Sequence, residues 1–301
     1  MKIAIAGGSG FVGMALIQEL RKENHEIYIL TRNPENKKPI TGVKYVKWLD
    51  QSASPENELA GIYAFINLSG ESLNSGRWTD KRKRIIVESR VDTTKEMTRI
   101  LSMLTEKPAV VIHASAIGYY GTSEKEVFTE KSGTIDEDFL SRTVQLWEKE
   151  AAKAKAYCGR LVFARFGVIL GKSAGALPMM VTPYQLFAGG TIGTGRQWLS
   201  WIHVKDVARA ILFCVNHEAI KGPVNFSAPF PQQMKDFGKT IGTVLHRPHW
   251  FSVPPFLLKT MLGEMSTLVL EGQKVIPDVL QHHEFTFAYP DLKAALHDLL
   301  K

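Results

Sequence analysis

Cysteine is scarce in this chain of 301 residues. Cys158 and Cys214 have neither the spacing of a redox pair nor that of a metal site, which excludes a disulfide framework and reads as two buried free thiols in a reducing compartment. Long apolar runs are also missing, and none is long enough to span a bilayer, so no membrane partner is expected. Met1–Ala6 runs straight into glycines, whereas a secretory signal needs a longer apolar core and a small-residue cleavage site. The expected location is therefore the cytoplasm. There is no repeat at a fixed period, no low-complexity segment and no Gly-x-Ser-x-Gly elbow of the hydrolase kind. Carboxylates are outnumbered, with 30 Asp and Glu against 37 Lys and Arg, a net charge of +7. The basic run Lys81–Arg84 has no interleaved aromatics and no nucleic-acid motif around it. It reads as a solvated helix face, and no nucleic-acid partner is expected. The surplus charge can instead attract an anionic cofactor.

What the chain does have is globular composition, 45% apolar and 22% charged, with short apolar runs alternating with helical patterns. Strands are expected at Lys2–Ala6, His25–Thr31, Val43–Trp48, Ala64–Leu68, Ala109–Ala114 and Leu161–Leu170. Helices are expected at Phe11–Lys22, Lys81–Leu104 and Leu140–Tyr157. Such alternation predicts an α/β fold, a doubly wound parallel sheet of the Rossmann kind. Gly, Met and Pro enrich the stretch after Leu170. Later segments predict a helix at Val204–Asn216, a strand at Val224–Ser227, and helices near Met234–Leu245, Phe256–Leu262, Leu268–Val275 and Leu292–Leu300. The expected division is a Rossmann domain over 1–170 with a return segment at 201–220. A smaller C-terminal α+β substrate domain would be built from 171–200 and 221–301.

Gly7, Gly10 and Gly13 follow the first strand and open the first helix. Gly7 permits a tight turn, Gly10 lets backbone approach a pyrophosphate, and Gly13 lets helix and strand pack closely. The free N–H groups of the helix start, over Ser9, Phe11 and Val12, then face an anion. The alternative is a glycine-rich turn that holds nothing. At the end of the second strand, where an acid would read the 2′-hydroxyl of NAD, stand Thr31 and Arg32. Charge-assisted bonds from Arg32 to a 2′-phosphate, each worth roughly 1.5–3 kcal/mol, predict about ten- to hundredfold preference for NADP over NAD. The competing reading leaves Arg32 as a surface residue, with Glu35 the nearest acid to serve NAD.

These motifs, together with Asn67-Leu68-Ser69-Gly70-Glu71, Ser89-Arg90-Val91, Ser115–Gly121, Arg165–Gly171, Ser200–His203 with Asp206, and Pro223-Val224-Asn225, resemble the extended short-chain dehydrogenase/reductase group, the NAD-dependent epimerase/dehydratase class. More narrowly the chain is similar to an atypical branch labelled "epimerase family protein" with a C-terminal domain of unknown function; the tail from Arg247-Pro248 to Tyr289-Pro290 also fits. The resemblance implies that Leu68, Ser69 and Gly70 pass the ribose and nicotinamide, that Ser115 ends the fifth strand, and that Gly167 and Val168 lie near the nicotinamide.

Typical members of the group carry Tyr-x-x-x-Lys, in which the Lys helps a tyrosine that would otherwise titrate near ~10 to work at neutral pH. Anchored on Glu148, the corresponding positions here are Leu140 and Val144. Tyr119 and Tyr120 are followed four residues on by Ser123 and Glu124. The Arg-Asp pair that precedes Trp201-Ile202-His203 in many sugar-nucleotide enzymes is here Leu199-Ser200, with Arg196 close by. His203 and Asp206 read as structural, and His246, His249, His282 and His283 lack a ligand set for a metal.

Two functions follow. One is an NADP(H)-dependent oxidoreductase or epimerase acting on a small molecule. In it Tyr119, Ser115 or Glu71 would carry proton transfer, and Glu71 and Tyr119 would meet substrate. The other is an NADP(H)-binding sensor or scaffold without turnover, which the missing Tyr and Lys favour. Tyr119 could instead be packing, and Ser115 a capping hydroxyl at a strand end. Fold analogy suggests a homodimer.

Overall fold

The computed structural model describes residues 1–136 and 138–301. Its centre is a seven-stranded parallel sheet. The strands are β1 (Lys2–Ala6), β2 (Glu26–Thr31), β3 (Val43–Lys47), β4 (Ala64–Asn67), β5 (Val110–Ala116), β6 (Arg160–Phe166) and β7 (Gly222–Phe226). Their spatial order is β3-β2-β1-β4-β5-β6-β7. The order reverses between β1 and β4, the kind of crevice in which open α/β sheets bind ligands.

Strand alternation divides the apolar side chains between two faces. Ile3, Ile5, Ile27 and Ile29 point into a core built with Leu16, Ile17 and Leu20 of α1 (Phe11–Lys22) and the apolar face of the helix at Val204–Asn216. Ala4, Ala6, Tyr28 and Leu30 point the other way, against Met97, Ile100 and Leu101 of α2 (Asp80–Met103). Each fully buried isoleucine contributes about 1.5–3 kcal/mol of transfer free energy, before chain entropy is set against it. A third helix, α3 (Phe139–Ala151), runs beside α2, with Trp147 and Val144 buried. Its first turn is capped by the Asp138 carboxylate, which accepts the Ser141 N–H at 2.7 Å.

A separate apolar core joins α4 (Leu177–Gln185), α6 (Met234–Leu245) and α8 (Leu292–Leu300) around Trp201, Phe237 and Leu296. The helix at Val204–Asn216, α5, stays on the main sheet against α1. A further helix, α7 (Pro255–Leu262), buries none of its side chains.

Three expectations need correction. The strand expected at Val224–Ser227 does not belong to the second domain. As β7 it pairs in parallel with β6 and completes the main sheet. The run Leu161–Leu170 is not one strand. It leaves the sheet at Gly167, where a side chain would lie 2.5 Å from the Ser200 carbonyl, and Val168–Leu170 pairs with Trp201–His203 instead. Leu268–Val275 is not a helix. A short helix ends at Leu270, Gly272 lies against the Trp198 carbonyl, and Lys274–Val275 pairs with Val127–Phe128. Apolar content alone could not reveal these tertiary pairings.

Candidate functional site

At the carboxyl end of β1 the chain turns through Gly7, whose φ of +79° is strained for any side chain. A Cβ on Gly7 would stand 2.8 Å from the Leu68 carbonyl group. One on Gly13 would stand 2.5 Å from the Gly8 carbonyl oxygen. The glycines thus set the distances of α1 from β1 and of β1 from the end of β4. Gly10 caps α1 with no side-chain bond, so the first-turn N–H groups over Phe11 and Val12 face outward beside the exposed Ser9. The Phe11 ring lies where a side chain at Gly171 or Gly175 would be. It ties the glycine loop to the segment after β6.

Arg32 is exposed just beyond the end of β2, after the buried Thr31. Lys37, which the sequence reading did not single out, reaches back over the loop and donates to Ser9 Oγ at 3.4 Å. Glu35 is exposed in the turn between them. A basic residue within a few positions of a strand end was the only signal for Lys37.

Across the crevice, Leu68 donates its N–H to Ala6, and Ser69 donates its N–H to Asn67 Oδ1 at 3.1 Å. Asn67 is fully buried, and its Nδ2 has no hydrogen-bond partner among the described residues. Gly70 is exposed, and Glu71 Oε2 pairs with Arg82 at 3.1 Å. Gly167 and Val168 sit at the end of β6, held by N–H bonds to the Phe226 and Ser200 carbonyls.

Ser115 and Arg165 are register partners at the ends of β5 and β6, and both belong to one buried network. Ser115 Oγ donates to Glu148 Oε1 at 2.6 Å. Arg165 meets both oxygens of Glu148 at 2.8 Å, a bidentate pair. Arg165 also donates to Tyr120 Oη at 3.0 Å, and Tyr120 donates to Asn225 Oδ1 at 2.7 Å. Burial pushes the Tyr120 hydroxyl pKa up, against the pull of Arg165. The Arg165 guanidinium lies 3.5 Å from the centroid of the Tyr119 ring. Tyr119 is half-buried, and its hydroxyl has no hydrogen-bond partner among the described residues. Leu140 and Val144 pack against Gly118. Glu148 and Arg165 went unread as a pair. The available signal was a charged residue inside the apolar run Leu161–Leu170, which must find a counter-ion when buried.

Several other candidates are structural. His203 Nδ1 accepts the Lys205 N–H, and its ring stacks on Tyr289 at 4.0 Å. Asp206 accepts the N–H groups of Ala288 and Tyr289, each at 2.8 Å. Ser200 Oγ bridges the Gln273 carbonyl and the Val275 N–H. His249 lies between the Tyr184 and Thr191 hydroxyls.

Comparison with known proteins supplies the remaining findings. Residues 3–227 match the NAD dependent epimerase/dehydratase family, and residues 253–299 match a domain of unknown function, DUF1731. Epimerase family protein YfhF of Bacillus subtilis is 50% identical over 300 residues, covering 100% of this chain and 98% of the relative. The crystal structure of human epimerase family protein SDR39U1 (isoform 2) with NADPH is similar at a TM-score of 0.86 and 29% identity, covering 99% of each chain. A nucleoside-diphosphate sugar epimerase from Corynebacterium glutamicum is similar at a TM-score of 0.79 and 31% identity, covering 99% of this chain and 58% of that one.

Proposed function

The chain belongs to the NAD-dependent epimerase/dehydratase family, and on that footing we propose that it is an NADP(H)-dependent oxidoreductase or epimerase acting on a small molecule. The observation that carries this reading is the glycine turn from β1 into α1, where a Cβ at Gly7 or Gly13 would strike the Leu68 or Gly8 backbone and push the helix start away from the strand end. Its first-turn N–H groups would hold a pyrophosphate, with Leu68 and Ser69 forming the opposite wall. Arg32 and Lys37 favour a 2′-phosphate, and no carboxylate takes the reader's place directly after β2. A relative of 29% identity solved with NADPH supports the same preference. The nicotinamide would supply or accept a hydride.

The chain's own part is orientation and proton movement. Tyr119 is the proton-transfer group in this proposal, because its hydroxyl is uncommitted and a guanidinium lies on its ring. Arg165 attracts negative charge forming on that ring, and Glu148 holds Arg165 in place through both oxygens. Ser115 orients Glu148 by donating to it, rather than meeting substrate directly. That commitment of Ser115, with Leu140 and Val144 where the group's Tyr and Lys would stand, favours a binding protein without turnover. The free buried thiols fit the reducing interior of a cell.

Turnover can be tested by adding small-molecule extracts to the NADPH-loaded protein and following loss of reduced nicotinamide. The proposal expects fractions that accelerate the loss, with the rate falling about 10²–10⁴-fold in Tyr119→Phe. Because an epimerisation returns its hydride and consumes no cofactor, only the absence of both acceleration and an isomerised product in every fraction would favour the binding protein, and an undiminished Tyr119→Phe would remove Tyr119 from the chemistry.

A further inference from the structure

Exposed aromatic side chains gather on one part of the surface. Among the described residues five Trp and Phe side chains are exposed, and four of them, Phe187, Trp250, Phe251 and Phe256, lie on two neighbouring segments. The segments are joined backbone to backbone. Phe251–Val253 pairs in parallel with Gly190–Ile192, and Trp250 and Phe251 both donate their N–H groups to the Gly189 carbonyl. Trp250 Nε1 donates to the Phe187 carbonyl at 2.9 Å, and the Trp250 and Phe251 rings meet edge to face at 5.9 Å. The chain then runs through Pro254 into α7, which adds Phe256 and Met261. With Leu186 these side chains are 53–72% exposed. Only Lys259 and Thr260 of the eight residues of α7 are polar, yet none of the eight is buried, whereas a helix apolar nearly all round is normally covered. The four aromatic rings alone present roughly 400–600 Å², at the size where an apolar patch marks an interaction site.

The charge around this face has one sign. No Asp or Glu occurs between Glu150 and Asp206, nor between Asp236 and Glu264, and both aromatic segments fall inside these stretches. Arg247 stands 4.3 Å from the centroid of the Phe187 ring, and Lys259 projects from α7 between Phe256 and Met261 in sequence. The two acids that bound the second stretch are engaged by other cations. Asp236 pairs with Lys239 at 3.5 Å, and Glu264 pairs with Lys83. The face therefore combines apolar rings with uncompensated positive charge.

We infer that this face docks on an anionic lipid surface. The Trp, Phe and aliphatic side chains enter the boundary between headgroups and acyl chains, and Arg247 and Lys259 meet the negative headgroups. Such attachment needs no spanning helix, and the lack of a long apolar run was the ground for expecting no membrane partner. A second copy of the chain is the other way to cover the face. A two-fold contact sets a patch against itself, and here it would bring cations against cations with no acid in either segment to separate them. A lipid surface of opposite sign has no such conflict. The inference uses none of the residues assigned to the cofactor and stands apart from that reading.

The test is co-sedimentation of the full chain with vesicles of phosphatidylglycerol and, separately, of phosphatidylcholine, with tryptophan emission followed in parallel. Phosphatidylglycerol vesicles should bind the protein, shift its emission to the blue, and release it as salt rises. Phosphatidylcholine vesicles should bind it at least about tenfold more weakly. The double variant Arg247→Gln, Lys259→Gln should lose at least about tenfold in affinity for phosphatidylglycerol. The double variant Trp250→Ala, Phe256→Ala should lose at least as much, about tenfold or more, together with the blue shift. Far-UV dichroism checks that each variant is folded, and should the aromatic pair fail to fold, the charge pair decides alone. No binding to either lipid, equal binding to both, or phosphatidylglycerol affinity unchanged in a folded variant overturns the inference. A concentration-dependent dimer in ultracentrifugation that Trp250→Ala, Phe256→Ala abolishes, with no vesicle binding, assigns the face to a second copy instead.

Discussion

At the scale of single residues, Glu148 and Arg165 form a buried bidentate pair. Arg165 is 4% exposed, and among the described residues its only carboxylate partner is Glu148. Truncating one partner strands the other in a low-dielectric interior, so Arg165→Met should cost about 3–5 kcal/mol in denaturant unfolding. The double variant with Glu148→Gln should recover part of the loss. A single-variant cost below about 1 kcal/mol would show the pair to be dispensable. His113 gives a pH-dependent counterpart. It is fully buried between Trp147 and Phe163, with Nε2 at 3.0 Å from Thr94 Oγ1, and burial lowers its pKa to about 3. Below about pH 6.5 the unfolded chain protonates this histidine while the folded chain does not. Its stabilising contribution is therefore complete above that pH and is lost progressively as pH falls toward 3. Unfolding free energies of the wild type should decline more steeply there than those of His113→Gln, by up to about 1.4 kcal/mol per pH unit. Parallel slopes would contradict the assignment.

At the scale of elements, the sequence carried the local signals and missed the long-range ones. The bounds of α1, α5, α6 and α8 follow from apolar periodicity, because each buries one stripe against a core. The Gly7–Gly13 turn was legible because its backbone demands are local. The destination of Gly222–Phe226 was not, since nothing within that stretch records that its neighbour is β6, some sixty residues earlier. The Ser115–Glu148–Arg165 network was hidden for the same reason. Its three members come from separate elements, and only the fold makes them neighbours. The segment near the crevice mouth shows another such link. Arg77 donates to the Thr260 and Met261 carbonyls at the end of α7, and Lys83 pairs with Glu264. These contacts tie the end of a helix without buried side chains to the start of α2 and the loop before it. Arg77→Ala should therefore speed amide exchange through 255–266 while leaving the exchange of β1, β4 and β5 unchanged. Equal protection of 255–266 in both proteins would mean that α7 is held by something else.

At the scale of the whole molecule, two large bodies of apolar packing are distinct. One is the sheet with its helix layers, and the other joins α4, α6 and α8. The Phe11 ring, seated against Gly171 and Gly175, links the glycine loop directly to the chain leading into the second core. A ligand across the glycine loop would bind beside this link. A substitution that wedges α1 away from β1 should therefore be felt in ligand binding before it is felt in the second core. Gly13→Ala should abolish nicotinamide dinucleotide binding and cost about 1–3 kcal/mol of stability by overpacking. Tight binding by that variant would place the cofactor elsewhere.

The central claim, that the crevice holds NADP(H), is tested most directly by titrating the protein with NADPH and NADH and following nicotinamide fluorescence, for wild type and Arg32→Ala. Wild type should prefer NADPH by about ten- to hundredfold, and the preference should collapse in the variant while NADH affinity holds. Equal affinities in the wild type would contradict the role of Arg32, and absence of binding by either nucleotide would contradict the cofactor site itself.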